Sequence, residues 1–348
     1  MALDAGRAAT PDINSWDRTL VIKGFVSVFK AGGVAGVLNA LRAESLHRVR
    51  DPFPNAGRVQ APEFMNSKDV LAVVVSYNGS QNITQTVDAL RRQVGHVHIV
   101  DNGSDAETLG LLESLERAPG ITLELLKENR GVGYALNRGV QRARQMRCTW
   151  LLTMDQDSVV DDSLIEAYRV AVEQNPGRVC LAPRIATSTR RKDAVDGVIS
   201  SAITSGNLVR VSLFDQIGLY DEGFFVDCID FDFCLRLRRA GYAVYRVPDA
   251  LMQHQLGEAV DLPNAVGKYY SLHSPVRHYY MSRNFMYLTE RYLFQFPGFI
   301  AKLGLSHVLL LLLMVFLDPS PLASYRAIAR GMWDYAVRKS GRYIEHAI

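Results

Sequence analysis

The sequence lacks a strong excess of charge and has few cysteines. Its 348 residues include 39 Lys and Arg against 36 Asp and Glu, which gives a formal net charge of +3. Proteins whose main partner is nucleic acid carry a larger basic excess, so we expect no nucleic-acid partner. The four cysteines form no C-x-x-C pair and show no ligand-like spacing with histidine. We therefore expect neither a zinc site nor a disulfide framework, but buried thiols of a reducing compartment.

Long apolar runs are also rare. The first thirty residues contain Lys and Asp where a signal peptide needs an unbroken apolar stretch, which predicts a cytoplasmic protein. The run LGLSHVLLLLLMVFL at 303–317 is about fifteen residues long and contains a histidine, whereas a spanning helix needs about 20 residues. It predicts a buried or interfacial helix, with a spanning helix as the alternative. We expect peripheral contact with the inner face of the cell membrane.

Residues 1–66 precede the first strong strand and are predicted to form a separate helical segment and linker. Val21, Phe25 and Val28 recur at helical spacing, while two lysines share another face. This pattern is typical of a basic amphipathic helix at an anionic membrane surface. The alternative is a helix that packs on the main domain or on a second subunit, which would make the protein a homo-oligomer.

Strand and helix patterns alternate over 67–258. The run VLAVVVSY at 70–77 is typical of a strand buried on both faces, and further strands at 96–101 and 149–154 alternate with helical segments. Such alternation predicts an α/β domain with a mostly parallel central sheet flanked by helices and with ligands at the carboxyl ends of the strands. No G-x-G-x-x-G follows the first strand, which argues against a dinucleotide-binding oxidoreductase. Residues 259–348 are predicted to form a helical C-terminal extension.

Polar residues follow the first two strands. Ser76, Tyr77 and Asn78 end the first strand, and Asp101 and Asn102 end the second. An Asp at this rim can accept a hydrogen bond from the N3–H of a pyrimidine, and a Tyr offers its ring to the base. A site for a uridine or thymidine nucleotide is one interpretation, and the other is that D-N-G-S is simply a good turn.

The segment ENRGVGYALNRGV predicts a loop that enters a helix. Gly131 and Gly133 would let the backbone approach a ligand where the helix begins, and Asn137 lies one turn further along. The free N–H groups and the dipole of a helix start favour anionic or strongly polar ligand groups. A plain loop into a helix would use glycine as well, so both interpretations stay open.

Two carboxylates follow the apolar strand TWLLTM. Asp155 and Asp157 flank Gln156 where this strand meets the surface. A hard divalent cation takes oxygen ligands together with a substrate diphosphate, so the pair predicts a metal site that stabilises a departing diphosphate. The alternative is that D-Q-D-S caps the following helix.

A second acidic cluster occurs in FFVDCIDFDFCLRLRRAG, which predicts a loop that enters a helix. Carboxylates as close as Asp227, Asp230 and Asp232 would repel unless a cation or a base role separates their proton affinities, and one of them is a candidate general base. Asp232 precedes Arg236 by four residues, which predicts a structural ion pair. His254, after a strand-like segment, is a candidate third metal ligand or a structural histidine.

Taken in order, these motifs resemble those of the inverting glycosyltransferases of family 2, which have the GT-A fold. The resemblance runs from about residue 70 to about residue 257. Within the family, LLTMDQDS, FFVDCIDFDFCLR and HSPVRHYYMSRN have the form expected of bacterial rhamnosyltransferases. The resemblance implies dTDP-L-rhamnose as donor, Mg²⁺ or Mn²⁺ as cofactor, and a single displacement that inverts the anomeric carbon. It also implies a role in making cell-envelope polysaccharide or glycolipid.

The resemblance also implies roles for particular residues. The general base would be Asp230, with Asp227 as its rival because Ile229 stands where the wider family often has Glu. The metal ligands would be Asp157, His254 and, near the ribose or the metal, Asp155. The donor would be bound by Ser76, Tyr77, Asn78, Asp101, Asn102, Asn129, Gly133, Asn137, Asp155 and Gln156.

The third motif adds candidates for the acceptor side. Arg277, Arg283 and Asn284, together with Asp227, are candidates to contact a phosphate or the acceptor, although these arginines would also suit a surface beside packed aromatic rings. Membrane-adjacent features at both ends of the chain suggest a glycan or lipid-linked acceptor. The rival functions are transfer from a UDP-linked sugar, a nucleotidyltransferase, which would need a Gly-rich basic loop after the first strand, and a catalytically silent nucleotide-sugar-binding component of a membrane assembly.

Overall fold

The structure, a computed structural model, describes most of the chain after the N-terminal segment. The predicted amphipathic helix around Val21, Phe25 and Val28 lies outside the described residues. The described residues are 65–79, 82–186, 196–254, 259–261, 269–271 and 273–344.

The secondary structure alternates between strands and helices over the first half of the described chain. The strands are β1 (Val70–Ser76), β2 (His96–Asp101), β3 (Ile121–Leu125), β4 (Trp150–Asp155), β5 (Ser158–Val160), β6 (Cys180–Ala186), β7 (Gly197–Ile199), β8 (Asn207–Arg210), β9 (Val244–His254), β10 (Ala259–Asp261) and β11 (Tyr269–Ser271). The helices are α1 (Asn82–Arg91), α2 (Ala106–Glu116), α3 (Val132–Gln145), α4 (Leu164–Gln174), α5 (Phe214–Ile217), α6 (Ile229–Arg239), α7 (Pro275–Tyr292), α8 (Pro297–Leu317) and α9 (Pro321–Ala336).

The central sheet has the strand order β3-β2-β1-β4-β8-β6-β9-β5, and β7 pairs with β9. The four strands β3, β2, β1 and β4 are parallel, as the sequence predicts, because a helix connects each strand to the next. Beyond β4 the sheet is mixed, since β8 pairs antiparallel with both β4 and β6, and β5 pairs antiparallel with β9. The prediction of a mostly parallel sheet is therefore confirmed for the first half of the sheet and needs this correction for the second.

The core lies on both faces of the sheet. Every residue of β1 is buried, which explains its continuous apolar sequence. Alternate β1 residues point into two clusters: Val73 packs against α3 on one face, and Val74 packs with α1 and α4 on the other. Gly139 of α3 lies so close to Val73 that a methyl group there would overlap its side chain, so glycine sets the helix-to-sheet distance. All four cysteines are buried free thiols, as predicted.

The C-terminal helices pack on the sheet domain through α6 and α7. The predicted ion pair between Asp232 and Arg236 is present at 2.8 Å, and Asp232 also accepts hydrogen bonds from Tyr292 at 2.8 Å and Arg291 at 3.2 Å. A buried carboxylate needs such partners, and here they bind α7 to α6. The run at 303–317 forms all of α8 beyond its first six residues. Among the described residues, no helix is both long and apolar enough to cross a membrane.

Candidate active site

Strand register brings the sequence-predicted residues to one rim of the sheet. Ser76 lies opposite Asp101 in the β1–β2 pair, and Val75 lies opposite Asp155 in the β1–β4 pair. The polar residues that follow β1, β2 and β4 therefore meet at the carboxyl ends of three adjacent parallel strands. This is the edge at which open α/β sheets bind ligands.

A cluster of two carboxylates and one imidazole stands at this rim. The short antiparallel pair β5–β9 places Ser158 opposite His254, so the histidine comes beside the D-Q-D motif from a strand almost one hundred residues away. Ligand atoms of Asp155, Asp157 and His254 all lie within 4.8 Å of one another. The Oδ1 atom of Asp157 is buried, has no hydrogen-bond partner, and lies 3.7 Å from His254 Nδ1. An unsatisfied buried oxygen within such a donor set fits a divalent cation.

Two serines orient the histidine of this cluster. The Ser158 hydroxyl is 2.7 Å from His254 Nδ1, and Ser205 donates a hydrogen bond to the Ser158 hydroxyl at 2.8 Å. Ser205 also accepts a hydrogen bond from the backbone N–H of Asp155 at 3.1 Å. These bonds hold Nδ1 of the ring and leave Nε2 as its other possible metal-binding nitrogen. The sequence contained no signal for Ser205, because it lies in a loop about fifty residues from the motif that it supports.

Burial changes the proton affinity of Asp155. Desolvation is the largest cause and raises the pKa of this carboxyl to about 6, His254 lowers the pKa, and the neighbouring Asp157 raises it. Burial makes the ionised form of this carboxyl unfavourable in the free protein. A bound cation would stabilise that ionised form in place of the lost water. The electrostatics of the cluster therefore agree with its geometry.

The second acidic cluster lies on a loop with unusual backbone angles. Phe225, Asp227 and Cys228 have φ values of 63°, 59° and 64°, in the left-handed region that non-glycine residues rarely adopt. The side-chain amide of Asn284 holds this loop by donating hydrogen bonds to the carbonyls of Phe224, Val226 and Asp227 at 2.8, 2.6 and 3.1 Å. Backbone strain that the surrounding structure maintains is characteristic of functional sites.

The two candidate bases differ in their surroundings. Asp227 accepts hydrogen bonds from Arg277 Nε at 3.3 Å and Nη2 at 3.1 Å through Oδ1, while its Oδ2 is buried without a partner. Asp230 accepts a hydrogen bond from the backbone N–H of Phe231 at 2.9 Å. The pKa of Asp230 is raised to about 7, chiefly by desolvation and also by Asp227 and Asp155, against the lowering effect of the Phe231 N–H. A base with this proton affinity is half ionised at neutral pH.

Both acidic clusters face one cavity. Its volume is about 520 Å³, and its lining includes Asp155 and His254 from the sheet rim and Asp227, Asp230 and Arg277 from the loop and α7. Helices α6, α7 and α8 supply much of the remaining wall. The C-terminal extension therefore shapes the site together with the sheet domain.

The rim residues nearest the first strand form a hydrogen-bonded frame. The Gln156 amide bonds both the N–H and the carbonyl of Tyr77, at 3.0 and 3.1 Å, and leaves the Tyr77 side chain 44% exposed. The Asn78 N–H donates to Ser104 at 2.8 Å, and the Asp101 carboxylate accepts from the Ser104 N–H, at 2.9 Å, and from the Ser104 hydroxyl. Gln156 thus positions Tyr77 within this frame.

Asn102 and Asn129 are occupied in the same way. The Asn102 side chain accepts a hydrogen bond from the Arg130 N–H, and Asn129 accepts one from the Gly131 N–H, both at 2.9 Å. These bonds shape the loop that leads into α3. Both side chains therefore fix the backbone of this loop, and a ligand at the rim would contact the loop.

Four other predicted site residues are enclosed by segments outside the strand-end rim. Gly133 packs against the backbone of Asp221, and Asn137 is buried with its amide bonded to the backbone of Tyr220 and to Glu222. The close neighbour of this helix start is thus the 220–225 segment of the chain itself. The other two residues are Arg283 and Asn284.

Arg283 and Asn284 are fully buried, although the sequence suggested a phosphate contact for both. Arg283 donates to the carbonyls of Gly341 at 2.8 Å and Gly223 at 3.2 Å, and Asn284 supports the strained loop. No atom of either side chain is exposed to a phosphate, so their role is to fix the loop. Arg277 is the one of the three candidates that lines the cavity.

The fold, with one acidic cluster at the strand ends and a second on the loop that faces it across the cavity, is that of a glycosyltransferase of the GT-A class. Residues 71–218 match the family model described as Glycosyl transferase family 2, and this match supports a glycosyltransferase. The predicted fold class and enzyme class are confirmed.

Relatives agree with this assignment. The chain is 26% identical over 253 residues to the dTDP-rhamnosyl transferase RfbF of Shigella flexneri, covering 65% of this chain and 81% of that protein. It is 24% identical over 202 residues to the poly-beta-1,6-N-acetyl-D-glucosamine synthase of Staphylococcus aureus strain COL, but spans only 48% of the synthase. Among solved structures, GalNAc-T7 with UDP, GalNAc and Mn²⁺ has a TM-score of 0.51 at 14% identity, over 77% of this chain and 56% of that chain. This structural likeness supports the GT-A fold.

Proposed function

We propose that the protein transfers L-rhamnose from dTDP-L-rhamnose to a hydroxyl of a glycan or lipid-linked acceptor, with inversion at the anomeric carbon. The observation that carries the proposal is the single cavity in which a candidate cation site, Asp155 with His254, faces a candidate base, Asp230. The choice of rhamnose is supported by the similarity to the dTDP-rhamnosyl transferase. No feature of the cavity itself selects this sugar.

The residues of the cavity suit a single displacement. Asp155, Asp157 and His254 would hold Mg²⁺ or Mn²⁺, which would neutralise charge on the departing nucleoside diphosphate as a Lewis acid. Asp230 would take the proton of the acceptor hydroxyl as that oxygen forms a bond to the anomeric carbon. The bond from this carbon to the diphosphate oxygen breaks, and its electron pair leaves with dTDP. Arg277, half exposed at the cavity wall, would donate hydrogen bonds to a phosphate oxygen.

The nucleotide would lie along the frame at the ends of β1 and β2. Tyr77 would present its exposed ring to the base, held in place by Gln156, and Asn78 and the loop after Asn102 would border the ribose. A base contact from Asp101 would share a carboxylate that already bonds Ser104. In this arrangement the strand ends bind the donor, and the loop and C-terminal helices bind the acceptor.

We assign three regions to this function: a helical segment and linker at 1–66, the catalytic domain at 67–258 and a helical region at 259–348. The last region would contact the inner face of the cell membrane peripherally. On α8, Val308, Leu312 and Val315 are 52%, 44% and 56% exposed, an unusual amount of apolar surface for one uncharged stretch of helix. A lipid-linked acceptor would approach the cavity from this side.

The proposal is tested by calorimetric binding of dTDP, UDP and GDP, each with and without Mg²⁺ or Mn²⁺, followed by hydrolysis of dTDP-L-rhamnose by the same sample. A cation-dependent preference for dTDP and slow release of rhamnose are the expected results. Asp157→Ala is the control, since it should remove the cation dependence. A preference for UDP would keep a family 2 transferase, but with a UDP-linked sugar as its donor. Absence of nucleotide binding would support a silent component instead.

A further inference from the structure

The lining of the cavity includes charged residues and apolar residues, which we name its charged half and its apolar half. The charged half contains Asp155, His254, Asp227, Asp230 and Arg277. The other half is apolar and is built largely by α6, α7 and α8. Its apolar lining includes Ile203, Val226, Phe231, Met281, Leu303 and Leu310.

Helix α8 supplies the outer wall of the apolar half. Leu303, Ser306, His307 and Leu310 line the cavity at spacings of three and four residues, so they share one face of the helix. The helix is fixed against its neighbours: Phe299 packs edge-on against Phe231 of α6 at 5.6 Å, and His307 stacks on Phe285 of α7 at 4.5 Å. The apolar face is therefore a formed wall.

This wall carries no charge. The Ser306 hydroxyl is bonded to the Lys302 carbonyl at 3.1 Å, and His307 Nδ1 lies 2.9 Å from the Leu303 carbonyl. Burial lowers the pKa of His307, so the ring is uncharged at neutral pH. A nucleoside diphosphate would gain nothing from such a surface, whereas the opposite half offers it Arg277 and the candidate cation ligands. The apolar half is therefore left for the other substrate.

We propose that the apolar half is an acceptor subsite that binds an alkyl or polyprenyl-type chain attached to the sugar that is being extended. The inference rests on the proposed transferase function, because it places the hydroxyl of that sugar at Asp230. From there the remainder of the acceptor extends along Phe231, Met281 and the α8 wall. The whole cavity, charged and apolar lining together, has a volume of about 520 Å³, in the range of pockets that enclose a small ligand. Burial of the chain supplies affinity that a free sugar lacks.

Binding of two simple probes tests this subsite without knowledge of the natural acceptor. Octyl β-D-glucoside, below its micelle-forming concentration, and methyl β-D-glucoside are titrated into the full chain with dTDP and Mn²⁺ present. We expect the octyl probe to bind at least about tenfold more tightly, because several methylenes leave water. Equal affinities, or no binding of the octyl probe, would refute the subsite.

Matched variants locate the subsite. Leu310→Asn should abolish the preference for the octyl probe, and Leu310→Trp, which fills the space without unpacking the helix, should do the same. Leu293→Asn, at an exposed leucine outside the cavity, should keep the preference. Retention of the preference by both Leu310 variants would overturn the assignment to α8. The dTDP titration of the unmodified chain separates the two proposals. If the chain binds dTDP but does not prefer the octyl probe, only the subsite is refuted. If the chain does not bind dTDP, the proposed function is refuted.

Discussion

At the scale of single residues, the two candidate bases are distinguished by their partners. Arg277 engages one carboxylate oxygen of Asp227, and the Asn284 amide fixes the Asp227 backbone. The Asp230 carboxylate accepts a hydrogen bond from the adjacent Phe231 N–H and lines the cavity. Both carboxylates line the cavity, and Asp227 Oδ2 has no partner, so we favour Asp230 for its raised pKa and because no arginine among the described residues engages it.

This distinction predicts unequal effects of removing each base. Asp230→Asn should reduce sugar transfer by roughly a thousandfold or more while dTDP still binds, because the amide keeps the shape but cannot take a proton. Asp227→Asn should reduce transfer by roughly tenfold, because an uncharged amide oxygen accepts weaker hydrogen bonds from Arg277 than a carboxylate does. Initial rates of dTDP release in the presence of acceptor measure both. If the two variants exchanged these effects, the base would be Asp227.

The proton affinity of Asp230 predicts a pH dependence. The carboxyl must be ionised to act as a base, and burial raises its pKa to about 7. Transfer should therefore rise as the pH increases through about 7 and fall about tenfold per pH unit well below it. The measurement is kcat/KM for the acceptor between pH 5.5 and 8.5, a range of roughly 1.5 units on either side of that value. A flat profile would show that another step or another group limits the rate.

The same pKa predicts a gain in stability when the base is removed. In the unfolded chain an Asp ionises near its ordinary pKa of 3.8, whereas in the folded protein the raised pKa disfavours the charge. Stability from this group is therefore lost as the pH rises from about 4 to about 7. In the metal-free protein, Asp230→Asn should increase the melting temperature at pH 8. The increase should correspond to a gain in the free energy of unfolding on the order of 1 kcal/mol, and the effect at pH 4 should be small. Thermal unfolding at both pH values measures the difference, and a decrease at pH 8 would contradict the buried environment of Asp230.

At the scale of the elements, the sequence predicted local structure better than long-range contact. The buried strand β1 and the loop into α6 follow from local pattern, and both are as predicted. That His254 meets Asp157 depends on the three-residue pairing of β5 with β9, which no local pattern specifies. Likewise, the sequence motif around Asn137 was visible, but the partner of its amide is a segment about eighty residues away.

A crossing of two C-terminal helices gives the prediction at this scale. Gly331 of α9 lies against α7, where a methyl group would overlap the Ser282 hydroxyl and approach the Tyr279 carbonyl to 2.5 Å. Gly331→Ala should therefore destabilise the protein by about 1–3 kcal/mol, since a backbone carbonyl cannot move aside.

A second glycine serves as the matched control for this crossing. Gly110 of α2 is exposed and has open space where a methyl group would be placed. Gly110→Ala should stabilise the protein by up to about 1 kcal/mol, because alanine favours the helix. Denaturant unfolding of the two variants compares them directly. Equal stability of the two variants would indicate that α7 and α9 do not cross as closely as described.

At the scale of the whole molecule, helix α8 belongs both to the lining of the cavity and to an exposed apolar surface. The cavity contains Asp230 on its charged side and Leu310 of α8 on its apolar side. The same helix exposes Val308 and Val315 on another face. A membrane that covered the exposed face would therefore lie one helix diameter, about 10 Å, from the acceptor subsite.

This arrangement predicts that the exposed face of α8 contributes to membrane affinity. A triple replacement of Val308, Leu312 and Val315 by Asn should weaken binding to phosphatidylglycerol-containing vesicles by at least about tenfold, because three apolar side chains lose a favourable environment. Cosedimentation with vesicles measures the affinity, and dTDP binding by the same variant checks that the catalytic domain is intact. Replacement of Val170 by Asn, on the distant helix α4, is the control, since this valine is also exposed but lies outside α8. Unchanged vesicle binding by the triple variant would exclude α8 as the contact and direct the search for a membrane-binding segment to another part of the chain.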